Sequence, residues 1–170
     1  MLQAKSLCKL NLSNMRLQTV PSEIGCMTNL TRLVLREASL KTLPASLSLL
    51  RRLVELDVSL NHLSKLPPVV SELTSLRTFE VTYNQLTVLP DLRRLTKLQY
   101  LDISHNKLAE LPPWMEALRE IRYLDVSCNK LPEIPAYIEE LPRLRWLGFG
   151  YNKLSNEDKK ALKKRFRGEQ

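Results

Sequence analysis

Residues 98–118 read LQYLDISHNKLAELPPWMEAL, the clearest copy of a motif that recurs along the chain. Copies open at residues 7, 30, 53, 76, 98, 121 and 144, so consecutive copies start 22 or 23 residues apart. Their common pattern is L-x-x-L-x-L-x-x-N-x-L-x-x-L-P, followed by two further apolar positions. Self-similarity at this period predicts a solenoid of stacked units, because one such unit cannot bury its apolar face alone.

Each recurring residue type predicts a local structure. Leu101 and Ile103 are two residues apart, so a short strand places them on one side and turns Asp102 to the other. An asparagine stands where the chain leaves the strand, and its side chain can bond the backbone of the turn and form a ladder between units. These residues are Asn61, Asn84, Asn106, Asn129 and Asn152. Met15 and Ala38 take this place in units one and two, so we expect those two turns to be held less firmly.

The return half of each unit is rich in proline. Six units carry proline directly after the second apolar residue of the Leu-x-x-Leu position, which is Val20 in unit one and Ile134 in unit six: Pro21, Pro44, Pro67, Pro90, Pro112 and Pro135. Proline fixes φ and donates no backbone hydrogen bond, which excludes long helices from so short a segment. We therefore expect extended or 3-10 segments with at most short helical turns, and unit four lacks one residue after its proline.

The seven units together resemble the leucine-rich repeat family, in its typical 23-residue class with an internal Leu-x-x-Leu-Pro, over about residues 7–154. The likeness is greatest to intracellular Ras-group scaffolds and similar bacterial cytosolic repeat proteins. The resemblance implies an α/β solenoid, a horseshoe with a parallel β-sheet on the concave face and a mostly irregular or 3-10 convex face. It also implies binding of other macromolecules on the concave side, with no catalytic residues and no cofactor.

The two ends of the repeat array differ. We divide the chain into a repeat domain over residues 1–154 and a C-terminal capping helix with a basic tail over residues 155–170. Ser155 or Asn156 is the expected N-cap, and Ala161, Leu162 and Phe166 are expected to cover the last unit. Only Met1 and Ala4 match apolar positions before Leu7, which is too little for a full cap. Either unit one has an open edge that permits self-association, or the chain was excised from a longer protein.

Composition excludes several classes of protein. The 170 residues are 44% hydrophobic and 26% charged, which is typical of a globular chain, and no apolar run is long enough to cross a membrane. The net charge is +8, and residues 153–170 contribute seven basic and three acidic residues to it. Three widely spaced cysteines give neither a disulfide framework nor a metal knuckle. Reduced thiols favour an intracellular, cytoplasmic location.

Three columns of residues are expected to run along the concave face, one residue per unit. The middle column holds four consecutive acids among Asn11, Val34, Asp57, Glu80, Asp102, Asp125 and Gly148. These acids are either a recognition stripe for a basic partner or solvated residues that bond nearby serines and backbone. Adjacent carboxylates suit hard cations, but a flat strand array encloses an ion poorly, so we predict no metal site.

The other two columns become aromatic toward the C-terminus. The first runs through Lys9, Arg32, Glu55, Thr78, Tyr100, Tyr123 and Trp146, with Arg77, Arg122 and Arg145 just before it in their units. The second runs through Asn14, Glu37, Leu60, Tyr83, His105, Cys128 and Tyr151. Tyr, Trp and Arg dominate interface energies, so these residues are either a binding surface or rings that pack along the strands and shield the sheet. We expect Gly148 and Gly150 to leave room beside Trp146. The predicted protein-binding residues are Asp57, Glu80, Tyr83, Tyr100, Asp102, His105, Tyr123, Asp125, Arg145, Trp146 and Tyr151.

Two other activities compete with protein binding. His105 and Cys128 occupy adjacent units and could act as base and nucleophile, although the sequence offers them no oxyanion hole. The basic residues of 159–167 could bind nucleic acid or another acidic surface, but no aromatic residues alternate with them for stacking. The sequence favours a non-enzymatic protein-interaction module within a larger intracellular scaffold, of the signalling or cytoskeleton-associated kind. Acidic-surface or nucleic-acid binding by the C-terminal helix is the alternative.

Overall fold

Seven short parallel strands form one sheet in chain order in the computed structural model, which describes residues 6–166. The strands are β1 (Lys9–Asn11), β2 (Arg32–Val34), β3 (Glu55–Asp57), β4 (Thr78–Glu80), β5 (Tyr100–Asp102), β6 (Tyr123–Asp125) and β7 (Trp146–Gly148). Each residue pairs with the equivalent residue of the next unit, so Leu101 lies between Phe79 and Leu124. The predicted solenoid with a parallel sheet is confirmed.

Each strand is short because the chain soon turns through a left-handed residue. The backbone φ is between 50° and 54° at Glu37, Leu60, Tyr83, His105, Cys128 and Tyr151. Left-handed backbone is costly for residues other than glycine, and none of these positions is glycine. The cost recurs in every unit because the turn lets neighbouring units continue their hydrogen bonds, as Tyr83 N–H donates to Ser104 O at 3.2 Å.

The predicted asparagine ladder joins consecutive units. Asn106 Nδ2 donates to the carbonyl oxygens of Ile103 and Ser104 in its own unit at 3.1 and 3.0 Å. It also donates to Val81 O of the preceding unit at 3.1 Å, while its Oδ1 accepts from Leu86 N at 2.9 Å. The equivalent asparagines of units four, six and seven bond in the same way. The side chain of one unit therefore closes the turn of the unit before it.

Because each asparagine bonds the turn of the preceding unit, the turn of unit two is held better than expected and the turn of unit one is not. Asn61 Oδ1 accepts from Ala38 N at 3.1 Å and Leu40 N at 2.8 Å, so the turn of unit two is held by unit three. Unit one faces Ala38, which offers no side-chain acceptor. Its turn contains two extra left-handed residues, Arg16 and Gln18, and Met15 is 56% exposed. Unit two keeps one extra left-handed residue, Ser39, so the expectation of a less firmly held turn applies most strongly to unit one.

The convex face consists mainly of 3-10 helices, as the prolines predicted. They span Ser22–Cys26, Ala45–Leu49, Pro68–Glu72 and Pro113–Ala117, and one short α-helix, α1 (Ala136–Glu139), takes their place in unit six. Unit four, which is one residue shorter, forms neither kind of helix in the part of the chain that the structure describes. There Asp91 Oδ1 accepts from Arg93 N at 3.0 Å and shapes a tighter turn.

One continuous core runs between the sheet and the convex segments. Leu101 and Leu124 are fully buried in the middle units, whereas Leu10 and Leu12 of unit one are only partly buried. Within the described residues β1 pairs on one side only, so unit one packs against a single neighbour. Met1 and Ala4, on which the expectation of a missing cap depends, lie outside the described residues.

The C-terminal helix α2 (Asn156–Arg165) covers the last unit. Ser155 is its N-cap, because Asp158 N donates to Ser155 Oγ at 3.0 Å. Leu162 and Phe166, one turn apart, are buried against unit seven, whereas Ala161 is exposed, contrary to expectation. Ala161 lies about 100° around the helix from Leu162, which takes it off the buried face. Within the described residues, neither helix has the length and apolar character needed to cross a membrane.

Candidate functional site

The strand register aligns the predicted concave columns. Tyr100, Tyr123 and Trp146 are consecutive Cα partners, and we call these three residues the aromatic column. Asp57, Glu80, Asp102 and Asp125 are consecutive partners as well, and we call them the acidic column. The two columns lie side by side in units five and six.

The aromatic column is a continuous stack. The ring centroids of Tyr100 and Tyr123 are 4.2 Å apart with 8° between the ring planes, and those of Tyr123 and Trp146 are 4.0 Å apart with 3° between the planes. Each ring hides a face of its neighbour, so all three side chains are half-buried. A partner that approaches the sheet therefore meets a row of ring edges already fixed in place.

Gly148 serves this stack and does not leave room for a partner. A Cβ atom at Gly148 would lie 2.5 Å from Trp146 Cη2 and 2.5 Å from Asp125 Oδ1. The expectation of a free space beside Trp146 was therefore wrong at this glycine, because the indole and the carboxylate fill it. A Cβ atom at Gly150 would meet nothing within 4 Å, so only that position is open.

The aspartates of the acidic column bond the serine two residues ahead. Asp102 Oδ1 accepts from Ser104 N at 2.9 Å and from Ser104 Oγ at 2.6 Å. Asp125 Oδ1 accepts from Ser127 N at 2.8 Å, and Asp57, which is only 8% exposed, bonds its serine in the same way. One oxygen of each aspartate thus stabilises the turn. The role of these acids in partner binding stays a prediction.

Burial and mutual repulsion act on Glu80 and Asp102 of the acidic column, and the charge of Arg36 offsets them only in part at Glu80. Desolvation raises the pKa of the Glu80 carboxyl, and the neighbouring charges of Asp57 and Asp102 raise it further. Desolvation also raises the pKa of Asp102, although the hydrogen bonds from Ser104 oppose the shift. A cation brought to this column would offset both the free-energy cost of burying the carboxylates and the repulsion between them.

A third column of positive charge begins at the other edge of the sheet. Arg77, Arg122 and Arg145 precede their strands by one residue, and we call them the arginine column. All three are exposed, and their guanidinium groups have no hydrogen-bond or ion-pair partner among residues 6–166. Arg122 and Arg145 line an open depression of about 360 Å³. Only Arg145 was among the predicted binding residues, although the shared position in the repeat marks Arg122 as its equivalent.

The remaining predicted site residues lie at the edge where the strands end. Tyr83 and His105 stack with ring centroids 3.9 Å apart and line an open depression of about 520 Å³. Tyr151 is 84% exposed and stands apart from this stack. The structure therefore splits the predicted set into a central group on the sheet and a second aromatic pair at its edge.

The competing chemistries find little support in the geometry. Burial raises the pKa of the Cys128 thiol and the charge of Asp125 raises it further, which favours the unreactive thiol over a thiolate. Within the described residues, no group of three or more His, Cys, Asp or Glu side chains is arranged to hold a metal ion. Lys160, Lys163 and Lys164 are exposed on α2, and their binding to acidic surfaces stays a prediction.

Comparison with known proteins places this geometry among repeat proteins. A family model described as "Leucine rich repeat" matches residues 51–108, and no curated protein matches the chain significantly in sequence. An internalin (inlF) from Listeria monocytogenes aligns with a TM-score of 0.76 and 21% identity, over 96% of this chain and 54% of that protein. Internalin C2 (inlC2) from the same species aligns with a TM-score of 0.81 and 24% identity, over 91% and 66%.

A third solved structure is more similar in sequence. A TDR receptor aligns with a TM-score of 0.81 and 28% identity, over 88% of this chain and 27% of the receptor. The two internalins show likeness of fold alone at their level of identity. The chain spans about half to two thirds of the length of those internalins.

Proposed function

We propose, from the premise that the chain belongs to the leucine-rich repeat family, that it binds a partner protein on the C-terminal half of its concave sheet. The observation that carries the proposal is the stacked aromatic column beside the acidic column. Both lie on paired strands of one sheet. Units five to seven thus offer a preformed surface of the composition that protein interfaces use.

The aromatic column supplies the binding energy in this proposal. Tyr and Trp are enriched among interface residues whose removal costs most affinity, because each ring contributes large contact area with few rotors. The rings of Tyr100, Tyr123 and Trp146 are already held by their mutual stacking. Binding therefore freezes little additional side-chain motion, which lowers its entropic cost.

The acidic column supplies selectivity. Asp102 and Asp125 flank the aromatic column and keep one carboxylate oxygen outside the turn hydrogen bonds. Charge complementarity of this kind steers association and rejects partners of the wrong sign. The proposed partner therefore presents basic groups to this side of the sheet.

We extend the proposal to a non-enzymatic role and an intracellular location of the protein. A structural neighbour described as a receptor supports a binding role, and the raised thiol pKa of Cys128 supports action without catalysis. Cys8, Cys26 and Cys128 are all unpaired, which is consistent with an intracellular, reducing location. We place the chain in a larger intracellular scaffold, and self-association along β1 stays a prediction.

The test uses affinity capture followed by titration. The whole chain is used to capture proteins from an extract of its source, and the captured partner is purified and titrated by calorimetry. Tyr123→Ala with Trp146→Ala should weaken binding by about 2 kcal/mol or more, roughly 30-fold. The matched control is Lys9→Ala with Arg32→Ala, which changes the same column in units one and two. Equal affinity of the aromatic variant and the wild type would contradict the proposal and would indicate binding through the convex face or α2.

A further inference from the structure

We infer that the segment recognised on this face is an extended chain of mixed charge, with an acidic residue over the arginine column, an apolar residue over the aromatic column and a basic residue over the acidic column. The inference rests on the proposed function and adds the chemistry of the ligand. It follows from the order of the three columns across the sheet.

The three columns meet in unit six. Arg122, Tyr123 and Asp125 follow one another along β6 and the residue before it, so positive, aromatic and negative groups stand in that order. Unit five contributes an aromatic and an acidic residue, and unit seven contributes Arg145 and Trp146. An extended chain rises about 3.3 Å per residue, so the outer columns are about 10 Å apart along the strand. A partner segment of four extended residues spans that distance, with its second and fourth side chains facing the sheet and its first reaching the arginine column at the edge.

The arginine column differs from the neighbouring Arg32 and Arg143 because its charges are unpaired within the described residues. Arg32 pairs with Glu55 at 3.1 Å, and Arg143, beside the same depression, pairs with Glu120. Arg122 and Arg145 make no such contact within the part of the chain that the structure describes. A guanidinium group binds a carboxylate through two parallel hydrogen bonds, so an acidic side chain of the partner fits this edge.

The aromatic column favours an apolar side chain of the partner, and the acidic column favours a basic one. The ring edges of Tyr123 and Trp146 form an apolar ridge against which an aliphatic side chain can pack. Burial raises the pKa of the Tyr100 and Tyr123 phenols, and a hydrogen bond joins the two hydroxyls, so one phenol O–H is left to donate to a partner's backbone carbonyl. Beyond them, the crowded carboxylates of the acidic column are relieved by a basic side chain.

The experiment uses four blocked synthetic peptides and nuclear magnetic resonance of the whole chain. The peptides are Glu-Leu-Ser-Lys, Lys-Leu-Ser-Lys, Glu-Leu-Ser-Glu and Gln-Leu-Ser-Gln, titrated to millimolar concentration against the ¹⁵N-labelled protein. We expect the mixed-charge peptide to shift the amides of β5–β7 and to bind about fivefold more tightly than the other three. The salt dependence of its affinity should be the largest of the four.

A charge reversal tests the order of the columns. Arg122→Glu with Arg145→Glu makes both sides of the aromatic column acidic, so the preferred peptide should change to Lys-Leu-Ser-Lys. The matched control, Arg119→Glu with Lys130→Glu, alters the net charge equally at exposed positions outside the three columns and should keep the original preference. The same spectra report whether each variant is folded.

Two results would overturn the inference. One is an absence of shifts at β5–β7 with all four peptides, and the other is an unchanged preference in the Arg122→Glu, Arg145→Glu variant. Either result leaves the proposed function intact if the aromatic variant still loses the native partner. Retention of that partner by the aromatic variant would instead contradict the proposed function itself.

Discussion

Units one and two form the same paired strands as units five to seven, but they carry different side chains on the concave face. Where the C-terminal units carry the aromatic column, the first two carry Lys9 and Arg32, and the charge of Arg32 is already neutralised by Glu55. Where Asp102 and Asp125 stand, the first two units carry an asparagine and a valine. The comparison shows that buried positions determine the solenoid while solvent-facing positions of the same strands are free to specialise.

The same two regions also differ in how firmly they are held. Units three to seven each send an asparagine into the unit before them, and unit two sends only Ala38 toward unit one. The cost of a side-chain change should therefore depend on the unit in which it is made. Three substitutions test this difference and a fourth tests the charge of the acidic column, beginning with the largest expected effect.

The first substitution removes a core leucine in the middle of the array. Leu101→Ala should lower the free energy of unfolding by about 2–5 kcal/mol, because the side chain is fully buried between two neighbouring units. Leu10→Ala at the equivalent position of unit one should cost less, since Leu10 is only partly buried. Urea melts of both variants measure the difference. A loss under about 0.5 kcal/mol for Leu101→Ala would show that the assigned register is wrong.

The second substitution breaks the ladder. Asn106→Ala should lower the free energy of unfolding by about 1–3 kcal/mol, because it leaves the buried N–H of Leu86 and three carbonyl oxygens without their side-chain partner. Thermal melts give the size of the loss. Hydrogen exchange should locate the opening in units four and five, and an opening confined to unit six would contradict the direction of the ladder.

The third substitution extends the ladder to unit one. Ala38→Asn should place an amide where Asn61 stands one unit later, within reach of the turn around Met15. We expect a gain of about 1 kcal/mol and slower amide exchange in unit one, as for a typical added hydrogen bond. If exchange in unit one is unchanged while unit two is destabilised, the buried site at Ala38 cannot accept the larger side chain.

The fourth substitution removes charge from the acidic column. The pKa of Glu80 is raised in the folded state, so its favourable contribution exists at low pH and is lost as the pH rises above about 4.5 through the raised value. Glu80→Gln should therefore stabilise the protein at pH 7 by about 0.2–1 kcal/mol and have little effect at pH 3. The exposed Glu110→Gln is the control. A stabilisation of equal size at both pH values would exclude charge repulsion as the cause.

The repeat spacing predicted the sheet, the convex 3-10 helices and the ladder, because each depends on buried or turn-forming residues that recur at fixed positions. It did not predict that Gly148 accommodates Trp146, because this pairing of a glycine with an indole occurs in one unit and is not part of the repeat. The left-handed turn residues were missed because glycine, the usual marker, is absent there. Arg122 was left out of the predicted set although its repeat position matches that of Arg145; the structure adds that its guanidinium group has no partner within the described residues.

Hydroxyl-radical footprinting of the complex with the captured partner shows which face of the solenoid is covered on binding. Aromatic and sulfur-containing side chains report their own exposure, and they occur on the concave face, on the convex face and in the turn of unit one. We predict protection of Tyr100, Tyr123 and Trp146 on binding, with unchanged oxidation of Met15 in unit one and Trp114 on the convex face. Protection of Met15 or Trp114 with no protection of the aromatic column would contradict this prediction.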